Sequence, residues 1–229
     1  MHDIDYIPKM NFSKYNSENR IWTLGDFPLG LRVSPHYFGK IKAKDKNKVT
    51  KFFITSNFYR NYSILISATE KLKDENINFE VVVIGKFKTF SNKKLPEKLR
   101  KNFKFKYKVS YLELYKEVFN CDYIIINLDP IYEGDLIYLT TKVTGSISLV
   151  YGFFKPAIIH TKYAKKYNLT LKNSFIYNTN QNFYNSMKEA IKLNNEKYKK
   201  IQKNLIKLSN SLFQMSLKNV QKIINHFKI

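Results

Sequence analysis

Three largely apolar runs constrain this chain more than anything else in it. They are FEVVVIG (Phe79–Gly85), DYIIINL (Asp122–Leu128) and PAIIH (Pro156–His160). Each is short, rich in β-branched residues and bounded by polar or turn residues, so each reads as a strand. A strand that is apolar at every position, not at every second one, is covered on both faces. KFFIT (Lys51–Thr55), Phe103–Tyr107 and SFIY (Ser174–Tyr177) are shorter runs of the same kind. Between the strands the spacing turns helical. Asn61–Leu72 places Ile64, Leu65, Ala68 and Leu72 on one face. Ser110 and Glu113 have capping-box spacing, ahead of an apolar face of Leu112, Tyr115, Val118 and Phe119. Gly145–Phe153 and Gln181–Leu193 read as helices, Pro96–Arg100 as a short one and Thr161–Tyr167 as a turn or two. Strands that alternate with helices predict an α/β fold: a Rossmann-like, doubly wound parallel sheet.

The segments on either side differ. Residues 1–50 show no lasting periodicity; Pro28, Gly30, Pro35 and Gly39 punctuate them, and KAKDKNK (Lys42–Lys48) has the composition of a solvated loop. At the other end Tyr198, Ile201, Leu205, Leu208, Leu212 and Met215 share one helix face, continued by Val220, Ile223 and Phe227. Too few heptads are present to demand a coiled coil. A long C-terminal helix packed on its own domain or on a neighbour is expected. The domain reading is therefore 1–50 as an N-terminal segment and connector, 51–195 as the Rossmann-like domain and 196–229 as a helical segment.

Charge and cysteine narrow the setting. Lys and Arg number 40 against 18 Asp and Glu, a net +22. Such an excess attracts polyanions, among them nucleic acid, an anionic membrane surface or phosphate-bearing substrates. It is also what a Lys-, Asn-, Ile- and Tyr-rich composition supplies without any selected partner. No RNP-like or zinc-knuckle pattern occurs, so no specific nucleic-acid partner is expected, whereas peripheral membrane association stays open. No run reaches the roughly 18 apolar residues of a membrane span, and the N-terminus does not read as a signal peptide. The single cysteine, Cys121, lies in apolar FNCDYIII and reads as a buried structural thiol, which suggests a cytoplasmic protein.

In an open α/β sheet, ligands bind beyond the carboxyl ends of the strands. Three stretches fall there. TSNFYRN (Thr55–Asn61) offers hydroxyls and Arg60, whose guanidinium suits a phosphate. IGKFKTF (Ile84–Phe90) offers Gly85, which lets backbone turn close to a ligand. TTKVTGSISLVYGFFKP (Thr140–Pro156) brings Thr144, Gly145, Ser146 and Ser148 to a helix start, with Lys142 just before. Free N–H groups and the helix dipole make such a start an anion site. Upstream, Asp129, Glu133 and Asp135 either position a sugar or metal or are plain loop carboxylates. The four histidines (His2, His36, His160, His226) are scattered, with no HExxH or paired cysteines, so no metal is expected. His36 reads as structural. GxSxG, GxxxxGK[ST] and GxGxxG are absent.

The order of these pieces resembles the C-terminal half of bacterial GT-B glycosyltransferases, closest to those building cell-surface polysaccharides. The likeness runs from about Val33 to the C-terminus and is most specific at Asp129–Pro130 and Lys142–Pro156. It implies a nucleotide-sugar donor, no metal cofactor, and a glycan or lipid-linked acceptor. By motif position Arg60 and Lys142 would counter the diphosphate charge, and Glu133 would act beside the sugar. Thr144, Gly145, Ser146 and Ser148 would hydrogen-bond the diphosphate. Ser56, Gly85 and Lys86 would lie near the nucleotide. VSPHYFG (Val33–Gly39) would be the connector. Two departures stand out. Retaining members carry a second glutamate where this chain has Leu149. The residues ahead of Lys51 are also too few for a complete N-terminal Rossmann domain, so the expectation is a donor-binding half working with an N-terminal-domain partner subunit, a fragment, or a degenerate copy. The competing expectation is a non-catalytic basic scaffold on an anionic membrane or on a partner transferase.

Overall fold

The computed structural model describes residues 22–23, 31–34, 41–56, 60–85, 91, 94–140 and 142–227. Two short strands, β1 (Trp22–Thr23) and β2 (Leu31–Arg32), pair in parallel with each other. The main sheet comprises β3 (Thr50–Ser56), β4 (Phe79–Gly85), β5 (Phe103–Lys106), β6 (Tyr123–Ile126), β7 (Ala157–His160) and β8 (Phe175–Tyr177). Its six strands are ordered β5-β4-β3-β6-β7-β8, and every pairing is parallel. The helices are α1 (Ser63–Asp74), α2 (Tyr111–Asn120), α3 (Glu133–Thr140), α4 (Gly145–Phe153), α5 (Thr161–Lys166), α6 (Asn180–Lys192) and α7 (Asn195–Phe227). A 3-10 helix at Glu97–Asn102 takes the place of the short helix expected at Pro96–Arg100. The expected Rossmann-like α/β fold with a long C-terminal helix is present.

The unbroken apolar strands are explained by two cores, one on each face. Phe52, Ile54, Val81, Val83, Tyr123, Ile125 and Ile158 meet Leu65, Leu72, Phe183 and Met187 of α1 and α6. Phe53, Val82, Ile124, Ile126 and Ile159 meet Val118, Val150, Tyr163 and Leu205 on the other side. Side chains alternate across a strand, so a strand buried on both faces must be apolar throughout. Truncating a fully buried aromatic in such a core costs about 3–5 kcal/mol.

Several local expectations meet their physical causes here. The Ser110 Oγ accepts from the Glu113 N–H at 3.2 Å, which caps α2. The expected apolar face of α2 is only partly used, because Val118 is buried while Leu112 is 80% exposed. Cys121 is buried, and burial pushes its thiol up to about 12. The Lys42–Lys48 stretch is more than a solvated loop. The Asp122 carboxylate accepts from the N–H of Asn47 (2.9 Å) and of Lys51 (2.8 Å), and the Lys46 ammonium donates to the carbonyls of Ile191 (2.5 Å) and Leu193 (3.0 Å) at the end of α6. A cation at a helix C-terminus satisfies orphan carbonyls.

The long helix α7 packs on its own domain. Its inward stripe is Tyr198, Gln202, Leu205, Ser209, Leu212 and Ser216, all buried. The Tyr198 hydroxyl donates to the Asp122 carbonyl at 2.9 Å. Further along, the Ser34 N–H donates to the Ser216 Oγ (2.8 Å), and the Asn219 amide to the Arg32 carbonyl (2.7 Å), so α7 also reaches β2. Val220, expected to continue the apolar face, is 37% exposed, and the side chain of Ile223 and that of Phe227 lie outside the described residues. No helix among the described residues is long and apolar enough to cross a membrane.

Candidate functional site

The sheet order reverses between β3 and β6, and the chain winds outward from that point in both directions. The crevice outside the carboxyl ends of these strands is where such folds take ligands. Three groups of residues converge there.

The first is the start of α4. Thr144 is its N-cap, with extended backbone and no side-chain cap hydrogen bond. The Thr144 N–H donates to the Tyr167 hydroxyl at 3.3 Å, and the Thr144 carbonyl receives the Ile147 N–H at 3.1 Å. Gly145 is exposed, and a Cβ built there meets no atom within 4 Å, so the helix opens onto free space. The Ser146 hydroxyl is buried and shares a hydrogen bond of 2.9 Å with the Thr55 hydroxyl, which locks α4 onto the end of β3. Ser148 is half-buried, one turn further along.

The second is Arg60. Its side chain is nine-tenths buried, and its Nη1 has no hydrogen-bond partner. The guanidinium lies 5.7 Å from the centre of the Tyr138 ring, a cation–π contact that offsets part of its desolvation. Its charge is felt by Asp135, Tyr163 and Tyr167. Arg60 is thereby brought to the side of the sheet where Tyr138 of α3 and Tyr163 of α5 lie. Burial raises the Asp135 carboxyl; the Asp129 N–H, donating to its Oδ2 at 2.9 Å, and the Arg60 charge pull the other way. Burial pushes the Tyr167 hydroxyl up to about 12, so it stays a neutral hydrogen-bonding group.

The third is a cavity of about 520 Å³ at the ends of β4 and β5, lined by Ile84, Gly85, Tyr107, Val109, Tyr111 and Leu114 among others. Gly85 has φ 143°, which L side chains rarely adopt, so a glycine is needed to end β4 here. Tyr107 and Tyr111 are 54% and 76% exposed and offer flat apolar rings at its rim.

The remaining expected residues fall as follows. Lys142 is half-buried between α3 and α4; its N–H donates to the Ile137 carbonyl, and its carbonyl accepts from the Lys166 ammonium at 3.3 Å. Glu133, read from sequence as part of a loop, instead opens α3 and is exposed there. Asp135, also read as a loop carboxylate, is buried in the same helix turn. Of Ser56 only the backbone is described, at the end of β3, and Lys86 lies outside the described residues. Sequence reasoning did not single out Thr55, Tyr138, Tyr163, Tyr167 or the Tyr107–Tyr111 wall. Their roles come from contacts distant in sequence. Among the described residues no cluster of three or more His, Cys, Asp or Glu is arranged to hold a metal ion.

No protein-family model matches the sequence, and no curated protein matches it significantly. Solved structures do. A glycosyltransferase from Rickettsia africae superposes with TM-score 0.57 at 17% identity, over 80% of this chain and 49% of that one. TarM of S. aureus, solved as a mutant with Fondaparinux, alpha-GlcNAc-glycerol and UDP, gives TM-score 0.64 at 13% identity, over 89% of this chain and 40% of that one. The C-terminal domain of a glycosyl transferase group 1 family protein (LpcC) of Francisella tularensis gives 0.51 at 12% identity, over 73% of this chain and 87% of that domain. The chain thus spans less than half the length of the first two. What these matches share with it is the fold, an α/β Rossmann-like unit of the GT-B glycosyltransferase type.

Proposed function

We propose that this chain is the donor-binding half of a GT-B glycosyltransferase, which transfers a sugar from a nucleotide-sugar in the assembly of a cell-surface polysaccharide. The observation that carries the reading is the pairing of two unlike subsites on one sheet edge. The tyrosine-rimmed cavity at β4–β5 suits a planar base, by stacking and apolar contact. The open start of α4, with Arg60 and Lys142 nearby, suits a diphosphate. Adjacent strands lie about 4.8 Å apart, so the two subsites are about 10 Å from each other, as the parts of one nucleotide would require.

In this reading the base sits against Gly85, Tyr107 and Tyr111. The diphosphate lies over Gly145, receiving N–H groups of the first turn. Arg60 and Lys142 neutralise the charge that builds on the leaving diphosphate as the glycosidic bond breaks, which is electrostatic catalysis. The hydrogen bond between Thr55 and Ser146 holds the helix start in place. Glu133, at the exposed start of α3, would act beside the sugar, and Leu149 leaves the second carboxylate position empty of charge. The acceptor and the remaining half of the active cleft come from an N-terminal domain. The neighbour crystallised with UDP supports a uridine nucleotide as the first donor to try.

Calorimetric titration of the chain with UDP, GDP, ADP and their common sugar conjugates tests the reading. The expected result is binding of one nucleotide class, weakened at least about 10-fold by Arg60→Gln, as for loss of a charge-assisted contact. No heat from any of them, alongside an intact fold by circular dichroism, refutes it.

A further inference from the structure

A lysine-lined cavity lies on the α2 face of the sheet, running from the start of β3 to the end of β5. We infer that this cavity, lined by Lys44, Lys51, Lys104 and Lys106, binds a phosphorylated anion at a site separate from the crevice at the carboxyl edge. The inference stands without the donor reading above. The cavity measures about 330 Å³. Its walls come from the loop before β3, from β3, β4 and β5, and from the end of α2. Lys51 precedes Thr55 by four residues on β3, about 13 Å at the strand rise, whereas Lys106 at the other end of the cavity pairs with Ile84.

Charge balance distinguishes this cavity from an ordinary solvated lysine cluster. Three of the lining lysines are neutralised. Lys51 and Lys104 share Glu80, at 3.5 and 2.5 Å, and Lys106 bridges Glu113 (3.1 Å) and Glu117 (2.9 Å). Lys44 is not. Its ammonium donates to the Asn47 side-chain oxygen at 3.2 Å and lies 5.9 Å from the Phe119 ring centre. Lys155, 2% exposed, sets its own ammonium 5.6 Å from the same ring. Neither has a carboxylate within ion-pair distance among the described residues. The nearby Asp122 carboxylate is already taken up by the Asn47 N–H, the Asn47 amide and the Lys51 N–H. Lys44, which lines the cavity, and Lys155, which lies outside its lining, are therefore held around one aromatic ring without an ion pair of their own among the described residues. Burying a cation is costly, and an anion beside Lys44 lowers that cost.

The chemistry favours a compact phosphate. Lysine ammoniums are point charges that suit tetrahedral oxyanions, and the lining carries no arginine fork for planar carboxylates. The cavity has the size of a small phosphorylated molecule or headgroup, and it is too confined for a nucleic-acid duplex. It also gives a specific place to act for part of the net charge of +22, which the crevice at the carboxyl edge does not use.

Amide NMR spectra of the full chain, titrated with inorganic pyrophosphate, test this. The expected result is saturable movement of the Asn47, Lys51 and Cys121 signals, independent of those of Gly145 and Ser146. Lys44→Gln, a loop substitution that leaves the core intact, is expected to raise the dissociation constant for these signals at least about 10-fold, and Lys142→Ala to leave it unchanged. Pelleting with phosphatidylcholine vesicles, with and without phosphatidic acid, then separates the sources. Binding that needs phosphatidic acid and is lost in Lys44→Gln assigns a lipid headgroup. Pyrophosphate shifts without pelleting assign a soluble phosphate. No shift of the Asn47, Lys51 and Cys121 signals at about 10 mM pyrophosphate, or an equal shift in Lys44→Gln, overturns the inference.

Discussion

Lys155→Met is the substitution whose outcome the structure specifies most fully. The Lys155 side chain is almost completely buried, and its ammonium lies 5.6 Å from the centre of the Phe119 ring. Burial draws its pKa down from an ordinary 10.5 to about 8; the Asp122 charge opposes the fall, and the Lys44 charge adds to it. At 1.36 kcal/mol per pH unit, that drop is a cost of about 3 kcal/mol for holding the charged form in the folded state. The sign follows from proton counting. Between about pH 8 and 10.5 this residue binds a proton in the unfolded chain that it has released in the folded one, so its contribution to folding stability rises with pH across that window. Below about pH 8 the full cost is present. Methionine has similar length and volume and carries no charge, so the swap removes the penalty at little packing cost. Loss of the cation–π contact, about 1–2 kcal/mol at a desolvated site, takes back part of the gain. The variant is therefore expected to be about 1–2 kcal/mol more stable at pH 7. Urea unfolding followed by circular dichroism at pH 7, 8, 9 and 10, in phosphate-free buffer, measures both effects. The stability difference between the variant and the wild type should shrink by about 2 kcal/mol from pH 8 to 10, with equal dependence on urea. The difference is the readout because Cys121 and Tyr167, both pushed up to about 12 by burial, lower the stability of both proteins as the pH rises. A variant less stable at pH 7, or a difference that stays constant up to pH 10, refutes the argument.

Other substitutions probe the rest of the frame. Gly85→Ala forces a Cβ onto a backbone at φ 143° and should destabilise by about 1–3 kcal/mol in thermal or urea melts, while loosening the cavity at β4–β5. Asp122→Ala strips the acceptor from the Asn47 and Lys51 N–H groups and should cost about 2–3 kcal/mol, with hydrogen exchange accelerating first at those two amides. A double-mutant cycle on Thr55→Val and Ser146→Val should return a coupling of about 0.5–1.5 kcal/mol in stability; additive effects would show that their hydrogen bond does not hold α4 to β3.

The sheet was legible in sequence because burial on both faces leaves an unmistakable mark. Val81–Ile84 and Tyr123–Ile126 have no room for a polar side chain, and their continuous apolar runs say so. The capping of α2 by Ser110 was legible for a similar reason, since it is a contact across three residues. Helix α3 was not. Its residues, Glu133–Thr140, lack a sustained helical face, and its place comes from Tyr163 and Asp129 holding Asp135 from both sides. The inward stripe of α7 was read only in part, because Gln202, Ser209 and Ser216 are buried polar residues that periodicity counts as exposed. They are buried where they meet partners such as the Phe154 carbonyl and the Ser34 N–H, and sequence gives no hint of those.

The sequence by itself determined the strands, their parallel alternation with helices, the open start of the helix at Gly145 and the excess of positive charge. These are local patterns of burial, capping and composition, written in neighbouring residues. Tertiary structure alone decided which charges lie where. It turned Arg60 toward Tyr138 and left its Nη1 unpaired, tied Ser146 to Thr55, and gathered Tyr107 and Tyr111 beside Gly85. It also set Lys44 and Lys155 around the Phe119 ring. The physical reason is range. Backbone patterning acts over three or four residues, whereas a site is an agreement among side chains that the sheet brings together from about a hundred residues apart.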